Sequence, residues 1–318
     1  FQAEDGIRDS STSRGLGDVY KRQLTDTLKA AIRKTIHHDP VLSTNGGTSD
    51  ARFLSKVSNE TVELGCNNQT AHKINENINI EYLPYKVEEC NFDNFIKEFF
   101  SDKYAKGLNV TLPYKKNAAN LTGVISVEAK YINAVNTIVK SDEELYFYST
   151  DGKGFIRDIA TKGFDLKNKN VLIIGAGAAI ESILFRVAQS NTKNITLFNR
   201  TEEKADRLIR KFSNLTSIKA SIEHQESPFD VVINGSSAGL TGNFKPMENL
   251  LLNKDTYFYD LNYSLTETHF CKWANENSNN VFDGMGMLVY QAAYSFEKWF
   301  GTFPETKSVI KDLEDMRE

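Results

Sequence analysis

Apolar residues in the second half of the chain fall into short runs that alternate with segments of helical spacing. The runs "NVLIIGAG", "NITLFNR", "FDVVINGS" and "TYFYDLNY" predict buried strands, and the segments between the first three predict helices that end near Ser190 and Phe212. This order is typical of a parallel, doubly wound α/β sheet. A later helix is predicted from about Leu288 to Trp299, and a charged final segment, "KSVIKDLEDMRE", follows it.

The same alternation begins upstream of this sheet. "FDNFIKEFF" predicts an amphipathic helix over residues 92–100, and "GLNVTL" predicts a strand. The stretch from Lys115 to about Val127 predicts a helix, and "INAVNTIV" and "LYFYST" predict two further strands.

The first part of the chain has a different character. Residues 1–23 mix charges, glycine and serine without a period, so we predict that they are disordered. They also resemble the translated read-through of a sequencing adapter, and we exclude them from fold reasoning. Apolar residues from Leu24 to Ile36 predict one helix, which ends before Pro40; a glycine loop, a short strand "ETVELG" and a helix start in "NQTAHKINENI" follow.

Composition limits the classes of function. A chain of 318 residues with 40% hydrophobic residues can build two domains, and a net charge of −4 disfavours nucleic-acid binding. The three cysteines are scattered and indicate neither a disulfide framework nor a thiolate zinc site. No apolar run is long enough to cross a bilayer and no signal peptide is evident, so we expect a cytoplasmic protein that acts on a small molecule, without membrane or nucleic-acid partners.

The glycine pattern in "NVLIIGAGAA" indicates a dinucleotide site. Gly175 and Gly177 come directly after a buried strand and before a helix. The first glycine permits a tight turn, the second lets the backbone approach a pyrophosphate, and the helix N-terminus offers free N–H groups.

The end of the next strand, "FNRTEEK", indicates which dinucleotide is bound. Asn199, Arg200 and Thr201 stand where an NAD enzyme usually has an acidic residue for the ribose, and Lys204 follows closely. A guanidinium and an ammonium suit a 2′-phosphate, so the sequence predicts NADP. The alternative is that Arg200 and Lys204 are ordinary solvated charges.

Two charged residues are candidates for the chemistry. Lys115 lies beyond the end of a predicted strand, and Asp151 lies in "STDGKGF", a predicted loop that leaves another strand. A lysine can donate to a carbonyl oxygen that gains negative charge during hydride delivery, and a nearby carboxylate can position it and share the proton.

Seven motifs in order resemble those of shikimate dehydrogenase: "NVTLPYK", "INAVNT", "STDGKGF", "IIGAGAA", "NRT", "YDLNY" and "DGMGMLVYQAAYSFEKW". The resemblance runs from about residue 83 to the C-terminus. It implies NADPH-dependent reduction of 3-dehydroshikimate to shikimate, in the pathway to aromatic amino acids. It also implies a Rossmann-like NADP-binding domain over residues 151–284 and an α/β substrate domain built from residues 83–150 and 285–318.

The resemblance assigns roles by motif. Lys115 and Asp151 are the implied catalytic pair, Thr111, Asn136 and Gln291 are implied to bind the ring hydroxyls, and Tyr263 is implied to stand near the substrate carboxylate. The residues implied to hold NADP are Gly175, Gly177, Ala178, Ala179, Asn199, Arg200, Thr201 and Lys204, with Ser236, Gly284 and Met287 on the nicotinamide side.

The chain departs from the family at three places. Ala178 replaces a usual glycine, and Ser149 replaces a usual asparagine. The family's first strand and its Ser-x-Ser pair for the substrate carboxylate have no counterpart before residue 83, so we expect a truncated substrate domain in which "GLNVTL" lacks a neighbouring strand. On this basis the chain should bind cofactor, whereas its turnover is an open question.

Residues 24–82 resemble the C-terminal end of succinyl-diaminopimelate desuccinylase, through "GGTSDARF", "VELG" and "AHKINENI". In that family the histidine at the position of His72 binds zinc, and Glu76 belongs to the same motif. One histidine does not make a catalytic zinc site, so we predict no metal.

The leading hypothesis is thus a shikimate dehydrogenase within a chimeric reading frame. A zinc-dependent amidohydrolase fragment, a non-catalytic NADP-binding module and a quinate or shikimate enzyme that prefers NAD are the alternatives. The oligomeric state, a homodimer included, stays open.

Overall fold

The computed structural model describes residues 85–317, except 221–224, 237, 239–243, 246 and 248. The chain divides into two compact units, residues 1–86 and 87–318, and every element below belongs to the second. The disorder predicted for residues 1–23, and the helix, strand and helix start predicted for residues 24–82, lie outside the described residues.

A six-stranded sheet forms the larger part of this unit. Its strands are β5 (Asn170–Ile174), β6 (Asn194–Phe198), β7 (Ile218–Lys219), β8 (Phe229–Asn234), β9 (Leu252–Asp260) and β10 (Val281–Asp283). They lie in the order β10-β9-β8-β5-β6-β7 and every neighbouring pair is parallel. The connecting helices are α5 (Ala178–Ala188), α6 (Glu202–Phe212) and α7 (His269–Asn275). The predicted parallel doubly wound sheet is confirmed.

This sheet is buried on both faces. Val171 and Ile173 of β5 belong to one hydrophobic cluster, whereas Leu172 and Ile174 belong to another. Alternate residues of a strand point to opposite faces, so the two clusters cover the two sides of the sheet. Burial on both sides explains why these strands are continuous apolar runs in the sequence.

A four-stranded mixed sheet forms the smaller part. Its strands are β1 (Gly107–Asn109), β2 (Val124–Ile125), β3 (Thr137–Ser141) and β4 (Glu144–Tyr148), in the order β1-β3-β4-β2. Only β2 and β4 are parallel, and β3 and β4 form a hairpin. Around the sheet lie a 3-10 turn (Glu89–Asn91) and the helices α1 (Phe92–Ser101), α2 (Lys115–Ala119) and α3 (Val127–Ile132). Phe92, Ile96 and Phe100 of α1 pack into the core of this sheet.

Three predictions for this smaller part need correction. The helix predicted from Lys115 to about Val127 ends at Ala119 as α2; Gly123 then adopts a φ of +150° and leads into β2, and α3 begins only at Val127. The strand predicted in "INAVNTIV" begins only at Thr137, since Asn133 ends α3 in the left-handed conformation. The strand predicted in "GLNVTL" is limited to β1, whose pairing with β3 ends at Asn109.

Two helices link the sheets. The helix α4 (Asp151–Thr161) leads from β4 towards β5, and α8 (Met285–Phe300) follows β10 and returns to β3, where Trp299 Nε1 donates to the carbonyl oxygen of Ile138 at 2.9 Å. The loop predicted around Asp151 is therefore wrong, because the residue begins a helix. The charged final segment contains a last helix, α9 (Lys307–Asp315).

The helices α4 and α8 pack closely on glycine. A side chain at Gly154 of α4 would start 2.7 Å from the backbone nitrogen of Gln291, and one at Gly286 of α8 would start 2.0 Å from Asp158 Oδ1. Each helix therefore contacts the other where a glycine leaves room.

Across the part of the chain that the structure describes, no helix combines the length and the apolar character needed to cross a membrane.

Candidate active site

The predicted catalytic residues Lys115 and Asp151 form an ion pair. Lys115 Nζ lies 2.7 Å from Asp151 Oδ2, and the two residues begin α2 and α4 respectively. The Asp151 side chain is only 8% exposed, whereas that of Lys115 is 23% exposed. The carboxylate is thus fixed inside the fold while the ammonium stays accessible to a reactant.

Asn136 holds the pair in place. Its Nδ2 donates to Asp151 Oδ1 at 3.0 Å, to Thr150 Oγ1 at 2.8 Å and to Gln291 Oε1 at 3.1 Å. Its Oδ1 accepts from the backbone N–H of Thr150 at 2.9 Å. One buried amide, on the residue that precedes β3, therefore orients the carboxylate and joins it to α8.

A second layer of polar side chains supports Asn136 and was not predicted. The Thr137 hydroxyl donates to Asn136 Oδ1 at 2.8 Å and lies 2.7 Å from the Ser295 hydroxyl, while Asn109 Nδ2 donates to the Asn136 carbonyl oxygen at 3.0 Å. Ser295 follows Gln291 by four residues, one helical turn on the same face of α8. That spacing was the available signal, although it indicates a role only once Gln291 is placed.

Thr111 and Tyr263 are not joined to this network. Thr111 is exposed and its carbonyl oxygen accepts from the backbone N–H of Tyr114 at 3.0 Å. Tyr263 follows β9 and is 44% exposed. Among the described residues, no hydrogen bond or ion pair connects either one to Lys115 or Asp151, so their roles in binding substrate stay predictions.

The loop after β5 has the shape that a dinucleotide requires. Gly175 adopts a φ of +108° and donates to the Phe198 carbonyl oxygen at 2.8 Å. Gly177 is the N-cap of α5, no side chain caps that helix, and a Cβ at this position would meet open space. The first N–H groups of α5 can therefore donate to a phosphate, with Ala178 and Ala179 exposed beside them.

The predicted ribose-phosphate residues lie at the end of the neighbouring strand. Asn199 Oδ1 accepts from the backbone N–H of Ala176 at 3.1 Å, and its Nδ2 donates to the Thr201 carbonyl oxygen at 2.7 Å. Asn199 thus ties this segment to the glycine loop. Arg200 and Lys204 are exposed, and within the described residues neither forms an ion pair.

The residues predicted on the nicotinamide side follow β8 and β10. Ser236 donates through its backbone N–H and its hydroxyl to Asn234 Oδ1, at 3.1 and 2.8 Å. Gly284 is the N-cap of α8, where a side chain would start 2.4 Å from the Leu261 carbonyl oxygen, and Met287 lies in the first turn. The strand ends of the large sheet therefore carry this group.

A buried carboxylate organises these strand ends. Asp260 Oδ1 accepts from Nδ2 of Asn234 at 2.9 Å and of Asn262 at 2.8 Å, and its Oδ2 accepts from the Thr268 hydroxyl at 2.7 Å. Burial raises the pKa of Asp260, and these hydrogen bonds oppose the rise. The sequence analysis did not single out Asp260, although it lies in the motif "YDLNY".

No metal centre is present among the residues that the structure describes, since they contain no group of three or more His, Cys, Asp or Glu side chains that could hold an ion. His72 and Glu76 lie outside that part of the chain.

Three family models that describe shikimate dehydrogenases together match most of the chain. Models of the shikimate dehydrogenase substrate binding domain, of shikimate/quinate 5-dehydrogenase and of the shikimate 5′-dehydrogenase C-terminal domain match residues 66–138, 158–247 and 284–314. The model of peptidase family M20/M25/M40 matches residues 12–88 and overlaps the first of these.

Individual shikimate dehydrogenases are also similar to this chain in sequence and in structure. The NADP(+) shikimate dehydrogenase of Colwellia psychrerythraea is 37% identical over 237 residues, which is 74% of this chain and 86% of that protein. The structure of Thermus thermophilus shikimate 5-dehydrogenase with NADP(H) and shikimate is 26% identical, with a TM-score of 0.64 over 73% of this chain and 86% of that one. The Listeria monocytogenes enzyme with shikimate and NAD is also 26% identical, with a TM-score of 0.65 over 72% and 84%. The chain belongs to the shikimate dehydrogenase family.

Proposed function

We propose that this protein interconverts 3-dehydroshikimate and shikimate with NADP as the hydride carrier. The observation that carries the proposal is the Lys115 to Asp151 ion pair, held at 2.7 Å beside the amides of Asn136 and Gln291. The NADP(+) shikimate dehydrogenases that this chain resembles over 86% or more of their length support the same reaction.

The chain's own groups manage the proton. In the reductive direction, the carbonyl oxygen gains negative charge, and the Lys115 ammonium stabilises that charge and donates a proton to the oxygen. Asp151 keeps the ammonium in position, and solvent restores the proton after the transfer. In the oxidative direction, Lys115 accepts the hydroxyl proton.

The amides of Asn136 and Gln291 have a second task. Asn136 Nδ2 fixes the side-chain oxygen of Gln291 at 3.1 Å, which sets the orientation of the Gln291 amide, and the second N–H of Gln291 Nε2 suits a ring hydroxyl. Because Asn136 also holds Asp151, substrate orientation and proton transfer share one support. We assign ring binding to Asn136, Gln291 and Thr111, and carboxylate binding to Tyr263.

The residues around the glycine loop fit NADP. When bound, NADPH supplies the hydride that reaches the substrate carbon. The uncapped N-terminus of α5 would hold the pyrophosphate with Gly175, Gly177, Ala178 and Ala179, while Arg200 and Lys204, with Asn199 and Thr201, would hold the 2′-phosphate. Ser236, Gly284 and Met287 would line the nicotinamide side.

We further propose that residues 151–284 form the cofactor domain and that residues 83–150 with 285–318 form the substrate domain. The six-stranded sheet lies within the first range, and the four-stranded sheet and α8 lie within the second, which supports this division. We place the protein in the cytoplasm, with a small molecule as its partner rather than nucleic acid or a membrane.

The test is turnover by the purified full chain. With 3-dehydroshikimate and NADPH, the absorbance of NADPH should fall at a rate proportional to enzyme, and shikimate with NADP+ should give the reverse change. NADP+ binding without turnover would instead favour a non-catalytic module. A higher kcat/KM with NADH than with NADPH would contradict the assigned cofactor and favour the NAD-preferring enzyme.

A further inference from the structure

A cavity lies between the small sheet and four helices. Its volume is about 320 Å³, and its lining comes from β4 and the segment that follows it and from or next to α3, α4, α5 and α8: Ser126, Val127, Glu128, Tyr148, Ser149, Thr150, Lys153, Phe185, Arg186, Gln189, Tyr294 and Lys298. Lys115, Asp151, Asn136 and Gln291 do not line it. The cavity is therefore separate from the catalytic pair, with Thr150 as the residue that borders both.

The lining carries an excess of positive charge. Lys153, Arg186 and Lys298 contribute three cations, and Glu128 contributes one carboxylate. Arg186 Nε donates to Glu128 Oε2 at 2.9 Å and its guanidinium forms a second bond to the same oxygen, so this pair neutralises itself. Two ammonium groups remain as the net charge of the cavity.

Each of those two ammonium groups lies near an aromatic ring. Lys298 Nζ lies 4.6 Å from the ring centre of Tyr148, and Lys153 Nζ lies 5.7 Å from the ring centre of Tyr294. Within the described residues, neither lysine forms an ion pair. Burial, followed by the nearby charges of Lys298 and Arg186, lowers the pKa of Lys153, and the carboxylates of Glu128 and Glu297 oppose this lowering.

We propose that this cavity binds a small, doubly charged oxyanion, with Lys153 and Lys298 as its principal ligands. Two ammonium groups match two negative charges, and the volume suits an ion of the size of phosphate or a short dicarboxylate together with its water. The lining includes Ser126 and Glu128, which lie beside the small sheet, and Phe185 and Arg186 of α5, which packs on the large sheet. The anion would therefore contact both halves of the fold.

The inference does not depend on the proposed function, because no residue of the catalytic pair takes part. It does need separation from the NADP site, since Arg200 and Lys204 also suit a phosphate. The experiment therefore uses the full chain in two forms, unchanged with saturating NADP+ and as Arg200→Gln without cofactor.

The measurement is calorimetric titration with sodium phosphate at a pH where phosphate is mainly dianionic, and in parallel with sodium malonate. Sodium chloride at equal ionic strength is the reference. We expect saturable binding of at least one dianion in both protein forms, and the tighter of the two identifies phosphate or dicarboxylate chemistry. Heats no larger than those of chloride for both dianions would overturn the proposal.

Substitutions locate the site. Lys153→Gln and Lys298→Gln should each weaken binding about tenfold, the usual effect of losing one charge-assisted hydrogen bond. Lys298→Arg should retain binding, and Lys272→Gln, which removes an exposed charge on α7, should leave it unchanged. Equal weakening by Lys272→Gln would show a general charge effect and contradict the site. Melting temperatures without anion show whether each variant folds.

Discussion

The catalytic pair and the nucleotide loop are positioned in different ways. Lys115 and Asp151 depend on side chains, because Asn136, which precedes β3, orients the carboxylate. The glycine loop depends on the backbone, through the φ of Gly175 and the N-terminus of α5. Side-chain positioning joins residues that are distant in sequence, whereas backbone positioning depends on a few consecutive residues. The two sites should therefore respond differently to substitution.

The largest effect is expected at the catalytic lysine. Lys115→Met removes the proton donor but keeps the length of the side chain, so kcat should fall by a factor of about 10² to 10⁴. NADP+ affinity should stay unchanged, because the nucleotide loop does not use this residue. Steady-state kinetics and cofactor titration measure the two quantities. Lys116→Met, the exposed neighbour, is the control; a similar loss of kcat there would contradict the assignment.

Asn136 tests the side-chain support itself. Asn136→Ala should lower the free energy of unfolding by about 1 to 3 kcal/mol, because buried partners such as the backbone N–H of Thr150 lose their acceptor. It should also lower kcat, since Asp151 loses its orientation. Urea unfolding and kinetics measure these effects against the exposed Asn120→Ala. A variant with unchanged kcat would separate Asn136 from the chemistry.

The two glycines of the loop should separate folding from cofactor binding. Gly175→Ala places a side chain at a φ of +108° and 3.0 Å from the Gly235 carbonyl carbon, which should cost about 1 to 3 kcal/mol of stability. Gly177→Ala meets no neighbouring atom, so stability should be retained while NADP+ binding weakens. Thermal unfolding and cofactor titration of this pair test the expectation. A loss of stability in Gly177→Ala would show that Gly177 is needed for folding and would contradict this separation.

Arg200 tests which dinucleotide the loop selects. Arg200→Gln should raise the KM for NADPH about tenfold and leave that for NADH nearly unchanged, because only the 2′-phosphate meets the guanidinium. Arg210→Gln, at an exposed position in the last turn of α6, removes an equal charge and is the control. Equal changes for both cofactors would indicate that Arg200 is an ordinary surface charge.

The smallest effect concerns a buried carboxylate on α4. Asp158 accepts from the Tyr259 hydroxyl at 2.6 Å, and burial raises its pKa above the usual 3.8. A raised folded-state pKa contributes stability that is complete below pH 3.8 and is lost as the pH rises through the higher value. The wild type should therefore lose stability relative to Asp158→Asn over that range.

Urea unfolding at a series of pH values measures this difference. Asp165→Asn, at an exposed position, should run parallel to the wild type. A constant difference between Asp158→Asn and the wild type at all pH values would show that Asp158 does not titrate as proposed.

The same contrast explains what the sequence could predict. The parallel sheet and the glycine loop were predictable, because strands buried on both faces are apolar runs and the loop's requirements are local. Lys115 and Asp151 were identified, but Asp151 was expected in a loop that leaves a strand, whereas it begins α4, a helix that contains Gly152 and Gly154. Packing of this helix against α8 stabilises it, since Gly154 lies against Gln291. Ser295 supports Asn136 through the Thr137 hydroxyl. Thr137 and Ser295 are 158 positions apart and meet only through folding, so no local pattern indicates the contact.

The contact between α4 and α8 has a consequence for how the protein tolerates change over generations. Gly154 and Gly286 touch no reacting atom, yet a larger residue at either would push apart the helices that carry Asp151 and Gln291. Arg200, in contrast, contacts the cofactor in our proposal and lies on an open surface. Sensitivity to substitution and participation in the reaction are therefore separate properties in this fold, and the least reactive residues can be the least replaceable.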